Sequence, residues 1–278
     1  MPDLSVIIVS WNVKEKLRSN LIALLASQGD FSFDIWVVDN NSEDGSAAMV
    51  KEEFPEIKLI ANQDNYGFAR ANNQAMALVQ GEFILLLNPD MLVFPDTLYK
   101  AWHWAKMHPK ATVSTCRLVD ARGETIKQVR RFPTLVDQLL VTFKWPHVRP
   151  SSLNKYLCVD FDYKQSAIVD SVRGAFFLIN RDNFRHLSGH KIPKLDERYF
   201  VWFEEVDFCR QVRQLGGQVW YVPEARCRDY IGASFSQIKR GLAQRYFSDS
   251  MLKYFKKWQP RWQWLILKGA WFLVKIFI

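Results

Sequence analysis

The 278-residue chain has only four cysteines, Cys116, Cys158, Cys209 and Cys227, with no CxxC pair and none at metal-ligand spacing from a histidine. Neither a disulfide framework nor a zinc site is expected, and a reducing, cytosolic setting fits best. Basic residues are missing ahead of the first apolar run, where Met1-Pro-Asp-Leu leads straight into SVIIVSW. That run reads as a first strand and not as a secretory signal, because the charged n-region is absent. The following loop, SWNVKEK, has no glycine, whereas a nucleotidyltransferase would want a Gly-rich loop bearing Lys or Arg at this point. Repeats and low-complexity segments are absent too. The length suits one large α/β domain, or one domain with an appendage.

Acidic residues are scarce at one end. From Lys239 onward nine Lys and Arg residues face Asp249 alone, so this tail carries the whole formal charge of +8 and residues 1–238 are net neutral. A neutral body argues against a broad nucleic-acid-binding face, and no nucleic-acid partner is expected. No apolar run is long enough for a comfortable membrane crossing: residues 262–278, WQWLILKGAWFLVKIFI, would span about 25 Å as a helix. Arg261, Lys268 and Lys275 recur every seven residues there, beside several tryptophans and the basic approach KYFKKWQPRW. Such a pattern describes an amphipathic helix lying in the interface of an anionic leaflet. A helix packed on the domain, or on a second copy in a homodimer, is the other reading.

What is present is a regular alternation of strand and helix signals, in a chain that is 49% hydrophobic and can fill a substantial core. Strands are predicted at Leu4 to Ser10, Asp34 to Asp39, Ile57 to Ala61 and Phe83 to Leu87. Helices are predicted at Lys14 to Ser27, Ser46 to Phe54 and Ala69 to Gln80, the last closed by Gly81 as a C-cap. Alternation of this kind implies βαβ units, a parallel sheet and a Rossmann-like nucleotide-binding half over residues 1–100. Beyond it come a helix at Thr97 to Met107, a strand near Val113 to Leu118, a turn at Arg122-Gly123 and an apolar strand at Val172 to Ile179. A further helix runs from Phe203 to Leu215, ended by Gly216-Gly217. Residues 129–165 read as irregular, a mobile acceptor loop or lid.

The stretch FILLLNPD shows where chemistry should sit. Five apolar residues suit a strand covered on both faces, and Pro89 ends it so that Asp90 stands at its carboxyl tip. That edge is where open α/β sheets bind ligands. Three more polar clusters fall at strand ends or helix starts: Ser10-Trp11-Asn12, Asp39-Asn40-Asn41-Ser42 and Glu204-Glu205-Val206-Asp207.

In this order, with NYGFARANN, RGAFFLINR and YVPEARCRDYIGAS, the motifs resemble family 2 glycosyltransferases of the GT-A fold, particularly the bacterial rhamnosyltransferase-like branch. The resemblance covers roughly residues 4–235. It implies a GT-A domain over 1–238, with a nucleotide-sugar half at 1–100 and an acceptor half at 101–238, followed by the amphipathic tail at 239–278. Mn²⁺ or Mg²⁺ is implied at Asp90, with Asn88 at the first position of a DxD-like motif. Asp39 is implied to meet the donor's pyrimidine base, although it also suits an Asx turn, with Ser10, Asn12 and Asn41 lining the same crevice. Asn65, Gly67, Arg70 and Asn73 are expected on the diphosphate side. The resemblance assigns the general base to Glu205; because this chain reads Glu-Glu where relatives read Glu-Asp, Glu204 stays a candidate. Asp207 is expected to complement the helix dipole and brace the site. Asp229 stands where relatives place a histidine, three residues before the glycine of the IGAS segment. It is expected either to join the metal or to pair with Arg226 or Arg228. Acceptor recognition is expected from Arg173, Gly174, Asp196 through Tyr199, and Trp202. None of the five histidines falls in a motif, and each is expected at the surface.

The implied function is inverting transfer of a sugar, rhamnose from dTDP-rhamnose as the single best donor, to a lipid-linked or cell-surface glycan at the cytoplasmic face of the membrane. A UDP- or GDP-sugar donor on the same fold, or an inactive nucleotide-sugar-binding scaffold, are the alternatives.

Overall fold

The computed structural model describes residues 1–230 and 239–276. In chain order the strands are β1 (Leu4–Ser10), β2 (Phe33–Asp39), β3 (Lys58–Ala61), β4 (Phe83–Leu87), β5 (Met91–Val93), β6 (Ala111–Val119), β7 (Val129–Arg130), β8 (Ala167–Val169), β9 (Ser171–Val172), β10 (Phe176–Asn180) and β11 (Gln218–Asp229). The helices are α1 (Lys14–Leu25), α2 (Ser46–Glu53), α3 (Phe68–Met76), α4 (Thr97–Met107), α5 (Leu135–Thr142), α6 (Pro150–Tyr156), α7 (Arg181–Leu187), α8 (Glu204–Gln214), α9 (Arg240–Trp258) and α10 (Arg261–Ile276).

The main sheet runs β3-β2-β1-β4-β10-β6-β11-β5, with β8 added on β11. Its first half is wholly parallel, and antiparallel pairings enter with β10, β5 and β8. Alternate residues of β1 feed opposite faces: Val6 and Ile8 pack with Leu17 and Leu21 of α1, whereas Ile7 and Val9 pack with Ala71 and Ala75 of α3. A sheet covered on both faces explains why these strands are apolar at nearly every position. Register sets Ser10 beside Asp39 at the carboxyl ends of β1 and β2, and β4 delivers Asn88 to the same edge.

The NPD turn is braced from below. Buried Asn20 of α1 donates to the carbonyls of Met91 at 2.7 Å and Asn88 at 3.2 Å. The turn residue Asn88 and the first residue of β5 thus share one helix side chain as a hydrogen-bond donor, which satisfies backbone that β4 no longer pairs.

Several expectations are corrected. The helix α3 ends at Met76, and Gly81 is not its C-cap. A Cβ on Gly81 would lie 2.6 Å from the Ser5 nitrogen, so glycine is required by the close passage of β4 beside β1. Residues 129–165 are not irregular: they hold β7, α5 and α6, and α5 starts on a full capping box between Thr134 and Asp137. The single strand expected over Val172 to Ile179 is broken into β9 and β10 by Arg173-Gly174-Ala175. Helix α7, capped by Asn180, was not anticipated at all.

Helices α9 and α10 pack back onto the body. Met251, Tyr254 and Phe255 of α9 and Leu267 and Trp271 of α10 bury themselves with Tyr199 and Phe203 in a third cluster. The fully buried Asp207 ties this cluster down, accepting from Lys257 Nζ at 2.7 Å, Trp258 Nε1 at 2.6 Å, Gln211 Nε2 at 2.6 Å and the Tyr199 hydroxyl at 3.1 Å. Asp207 therefore does more than complement the α8 dipole. Among the described residues no helix is long and apolar enough to cross a membrane.

Candidate active site

A cavity of about 480 Å³ opens at the carboxyl edge of the sheet. Its polar walls include Asn40, Asn65, Gly67, Asn88, Arg173, Gly174, Glu204 and Glu205. Its apolar walls include Trp11, Phe68, Phe200, Trp202, Leu242 and Tyr246. The volume and mixed lining suit a small-molecule site.

Of the residues singled out from the sequence, Asn65, Gly67, Asn88, Arg173, Gly174, Trp202, Glu204 and Glu205 are brought together in these walls. Asn65 Oδ1 accepts from the Gly67 amide and from Asn40 Nδ2, each at 3.0 Å. Gly67 has φ +79°, and a Cβ there would lie 2.4 Å from the Phe200 carbonyl oxygen, which accepts from the Phe68 amide at 2.7 Å. Only glycine lets the two walls meet so closely.

Ser10 and Asp39 lie buried beside the cleft. Asp39 Oδ2 accepts from the Ser42 amide at 2.9 Å, which is the Asx-type turn, while Asp39 Oδ1 and Ser10 Oγ have no hydrogen-bond partner among the described residues. One Asp39 oxygen thus shapes the loop as the Asx-type turn expected, and the other is buried. Asn12, at φ 53°, staples that loop, its Oδ1 accepting from the Glu43 amide at 2.7 Å. Asn41, at φ 65°, is exposed outside the cavity walls.

Asn73, Arg70 and Asp196 also lie outside the cleft. Asn73 bonds the backbone of Leu195 through both its Oδ1 and its Nδ2, holding α3 to the 195–199 loop. Arg70 lies over the Tyr66 ring at 4.1 Å on the flank of α3. Asp196 is taken up by Arg198 and Lys257, and the Arg198 bond first among its causes holds its carboxyl below the usual range.

The two acids at the start of α8 differ. Glu204 is 4% exposed and its Oε2 has no hydrogen-bond partner among the described residues; burial, then the charge of Glu205, raises its pKa well above the usual 4.5. Glu205 is less deeply placed, packs against Gly174, and is raised mainly by burial, with Arg173 opposing. Trp202 and Phe203, at φ 64° and 71°, turn the chain into α8. Left-handed geometry in two consecutive aromatics costs about 1–2 kcal/mol each, which sets the direction in which the two acids project.

Asp90 and Asp229 face the same edge, both buried, with Asp229 paired to Met91 across β11 and β5. Burial foremost raises the Asp229 carboxyl, Arg173 lowers it and the charge of Asp90 raises it again. Asp229 pairs with neither Arg226 nor Arg228, whose guanidinium groups lie over the Phe94 ring at 4.5 and 5.7 Å; its partner is Arg173, Nη1 to Oδ2 at 3.1 Å. Two repelling buried carboxylates fit a hard divalent cation. Among the described residues no group of three or more acidic, His or Cys side chains forms, so the remaining oxygens would come from a diphosphate and water. The Ile231 to Ser234 segment of the IGAS motif lies outside the described residues. The five histidines are exposed, as expected.

Sequence reasoning placed Trp11 and Asn40 in strand-end clusters without giving either a role, and missed Phe200, Leu242 and Tyr246. Asn40 is the hub of the polar wall, bonding Asn62, Asn65 and the Gly67 carbonyl. Leu242 and Tyr246 come from α9, in the stretch set apart as a tail; their spacing of four residues was the available signal.

A half-parallel sheet with a cleft at the ends of β1, β2 and β4, and carboxylates on both sides of it, is the GT-A fold of glycosyltransferases. Mannosyltransferase PcManGT from Pyrobaculum calidifontis, solved with GDP-Man and Mn²⁺, shares this fold at TM-score 0.59, with 17% identity over 98% of this chain and 70% of that one. The Glycosyl transferase family 2 profile matches residues 5–186, and the chain belongs to that family. It is 25% identical to rhamnosyltransferase WbbL of Escherichia coli K12 over 226 residues, 78% of this chain and 80% of the relative. It is also 25% identical to the N-acetylglucosaminyl-diphospho-decaprenol L-rhamnosyltransferase of Mycobacterium tuberculosis H37Rv, over 80% of this chain and 74% of that one. The protein is thus a glycosyltransferase enzyme of the hexosyltransferase type.

Proposed function

We propose that this enzyme transfers a hexosyl group, rhamnose from dTDP-rhamnose, with inversion to a hydroxyl of a lipid-linked or cell-surface glycan. The observation that carries this reading is one cavity lined by Glu205 of α8, by Arg173, the partner of Asp229, and by Asn88 and Pro89, which Asp90 follows in the chain. The rhamnosyltransferase names of two relatives support the choice of sugar.

A nucleoside base would meet Asp39 Oδ1 and Ser10, and the diphosphate would lie over Asn88 and Pro89 toward Asp90. Mn²⁺ or Mg²⁺, held by Asp90 and Asp229, would neutralise charge on the departing diphosphate. Glu205 takes the proton of the acceptor hydroxyl on the face of the sugar opposite that diphosphate. Burial, then the charge of Glu205, raises the Glu204 carboxyl, which favours placing the negative charge of the pair on Glu205. Tyr246, stacked on Phe200 with ring centroids 4.6 Å apart, supplies an aromatic wall for the acceptor. Incubation with dTDP-rhamnose, UDP- and GDP-sugars and an isoprenyl-diphosphate-linked N-acetylglucosamine acceptor tests this. A deoxyhexose added from dTDP-rhamnose alone is expected by mass spectrometry; addition from a UDP- or GDP-sugar instead would reject the donor.

The same reading puts the enzyme at the cytoplasmic face of the membrane. Helix α10 exposes Trp262, Leu265, Ile266, Phe272 and Leu273 while burying Leu267 and Trp271, and Arg261 and Lys268 flank the exposed side. An interfacial helix has this character. The protein is expected to sediment with phosphatidylglycerol vesicles and not with phosphatidylcholine vesicles, to be released by salt, and to bind less after Phe272→Asp. A salt-insensitive homodimer with no vesicle binding would assign that face to a second copy.

A further inference from the structure

The sequence reading places Arg173 with the acceptor; its surroundings place it elsewhere. Resting on the transferase reading above, we propose that Arg173, anchored by Asp229, is a recognition residue for the diphosphate of the nucleotide-sugar donor.

Among the described residues lining the cavity, Arg173 is the one lysine or arginine. Glu204 and Glu205 line the same space, Asp90 follows the lining residues Asn88 and Pro89, and Asp229 pairs with Arg173. A diphosphate entering so acidic a cleft needs fixed positive charge, and Arg173 is where the chain supplies it.

Its position follows from the broken strand. The Asn88 amide donates to the Ala175 carbonyl at 3.0 Å, which draws the Arg173-Gly174-Ala175 link across the NPD turn. Arg173 then reaches Asp229, which is paired across β11 and β5 with Met91, the residue after Asp90. The Asp229 side chain is 4% exposed, so it acts as a rigid post, while the Arg173 side chain is 36% exposed and lines the cavity.

A guanidinium carries five N–H donors, and Asp229 is the only carboxylate among the described residues within ion-pair distance of this one. The remaining donors are held in place with their charge already oriented. A planar fork of this kind matches phosphate oxygens in pairs, which a lysine does not. The anchor lies on the side of the cleft that carries Asp90, where the leaving group departs.

Diphosphate is also present in an isoprenyl-diphosphate-linked acceptor, so the test must separate the two sources. Calorimetric titrations of dTDP, dTMP and farnesyl diphosphate into wild type, Arg173→Gln and Arg173→Lys, each with Mn²⁺ and with EDTA, do so. Arg173→Gln is expected to weaken dTDP binding about ten- to hundredfold, the scale of a lost charge-assisted contact. Binding of dTMP, which lacks the second phosphate, should stay within about twofold, and this control also reports a folded base site. Arg173→Lys should recover part of the loss, and the loss should be larger in EDTA, where Arg173 acts alone.

Unchanged dTDP affinity in Arg173→Gln would overturn the inference while leaving the transferase reading in place. An equal loss of dTMP and dTDP affinity would make Arg173 structural and overturn it as well. Loss of farnesyl diphosphate binding alone would assign the residue to the acceptor, against the proposal. Wild-type protein that binds no nucleoside diphosphate under either condition would instead reject the donor reading, and this inference with it.

Discussion

Glu205→Gln lowers kcat for sugar transfer by about 10²–10⁴, the usual contribution of a positioned general base, while leaving donor binding near the wild-type value. The amide keeps the shape of the side chain but cannot accept the acceptor's proton. Because burial raises the Glu205 carboxyl above its usual 4.5, the ascending limb of the wild-type pH–rate profile lies above that value. The sign follows from the chemistry: the base works only when charged, so rate rises as pH passes through the raised pKa, and Glu205→Gln removes that limb. Glu204→Gln is expected to cost far less, because Glu204 is buried and best kept neutral. A larger loss in Glu204→Gln than in Glu205→Gln, read from steady-state kinetics, would exchange the two assignments.

Asp207→Ala destabilises the protein by about 3–5 kcal/mol, the cost of breaking a buried charged pair by removing one partner. Four donors lose a bond together, among them the Trp258 indole and the Lys257 ammonium, which keeps its bond to Asp196; these two fix α9 to α8. Asp249→Ala, which removes an exposed carboxylate lying 3.9 Å from Arg245, should change stability by less than about 0.5 kcal/mol. Urea unfolding of the two variants beside wild type measures both. Equal small effects would mean that the third cluster is held by its apolar contacts alone. Since α9 also supplies Leu242 and Tyr246 to the cavity, the Asp207 variant should lose acceptor affinity as well.

The first hundred residues were legible because local signals and tertiary environment agree there. DIWVVD is apolar between its ends because both sheet faces are covered, and its last residue is polar because it lies at the binding edge. Beyond Pro95 the signals were present but weaker. The capping pattern Thr134-x-x-Asp137 marks α5, yet surrounding polar residues masked the apolar spacing. Strand β11 contains Pro223, which argues locally against a strand; the chain accommodates it at a register shift between Val222 and Arg226.

Long-range partners were the least legible. Nothing near Asp207 announces a lysine fifty residues later, and nothing near Asp229 announces Arg173. The cleft residues on β1, β4 and α8 were found because strand ends and helix starts locate them. Arg70, Asn73 and Asp196 were misplaced because a motif gives adjacency in sequence, not the face on which a side chain emerges. The tail pattern allows an interfacial helix or one packed on the domain, and α10 has an apolar side for each: the body covers one and the other is exposed.

The most direct measurement is the release of nucleoside diphosphate from the donor by wild type and Asp90→Asn across a Mn²⁺ titration, with EDTA as the zero point. The account predicts metal-dependent release from one donor in wild type, and release in Asp90→Asn reduced to the EDTA level at every Mn²⁺ concentration. Equal, metal-dependent release by the two proteins would contradict the assignment of Asp90 as the carboxylate that β4 carries to the reacting diphosphate.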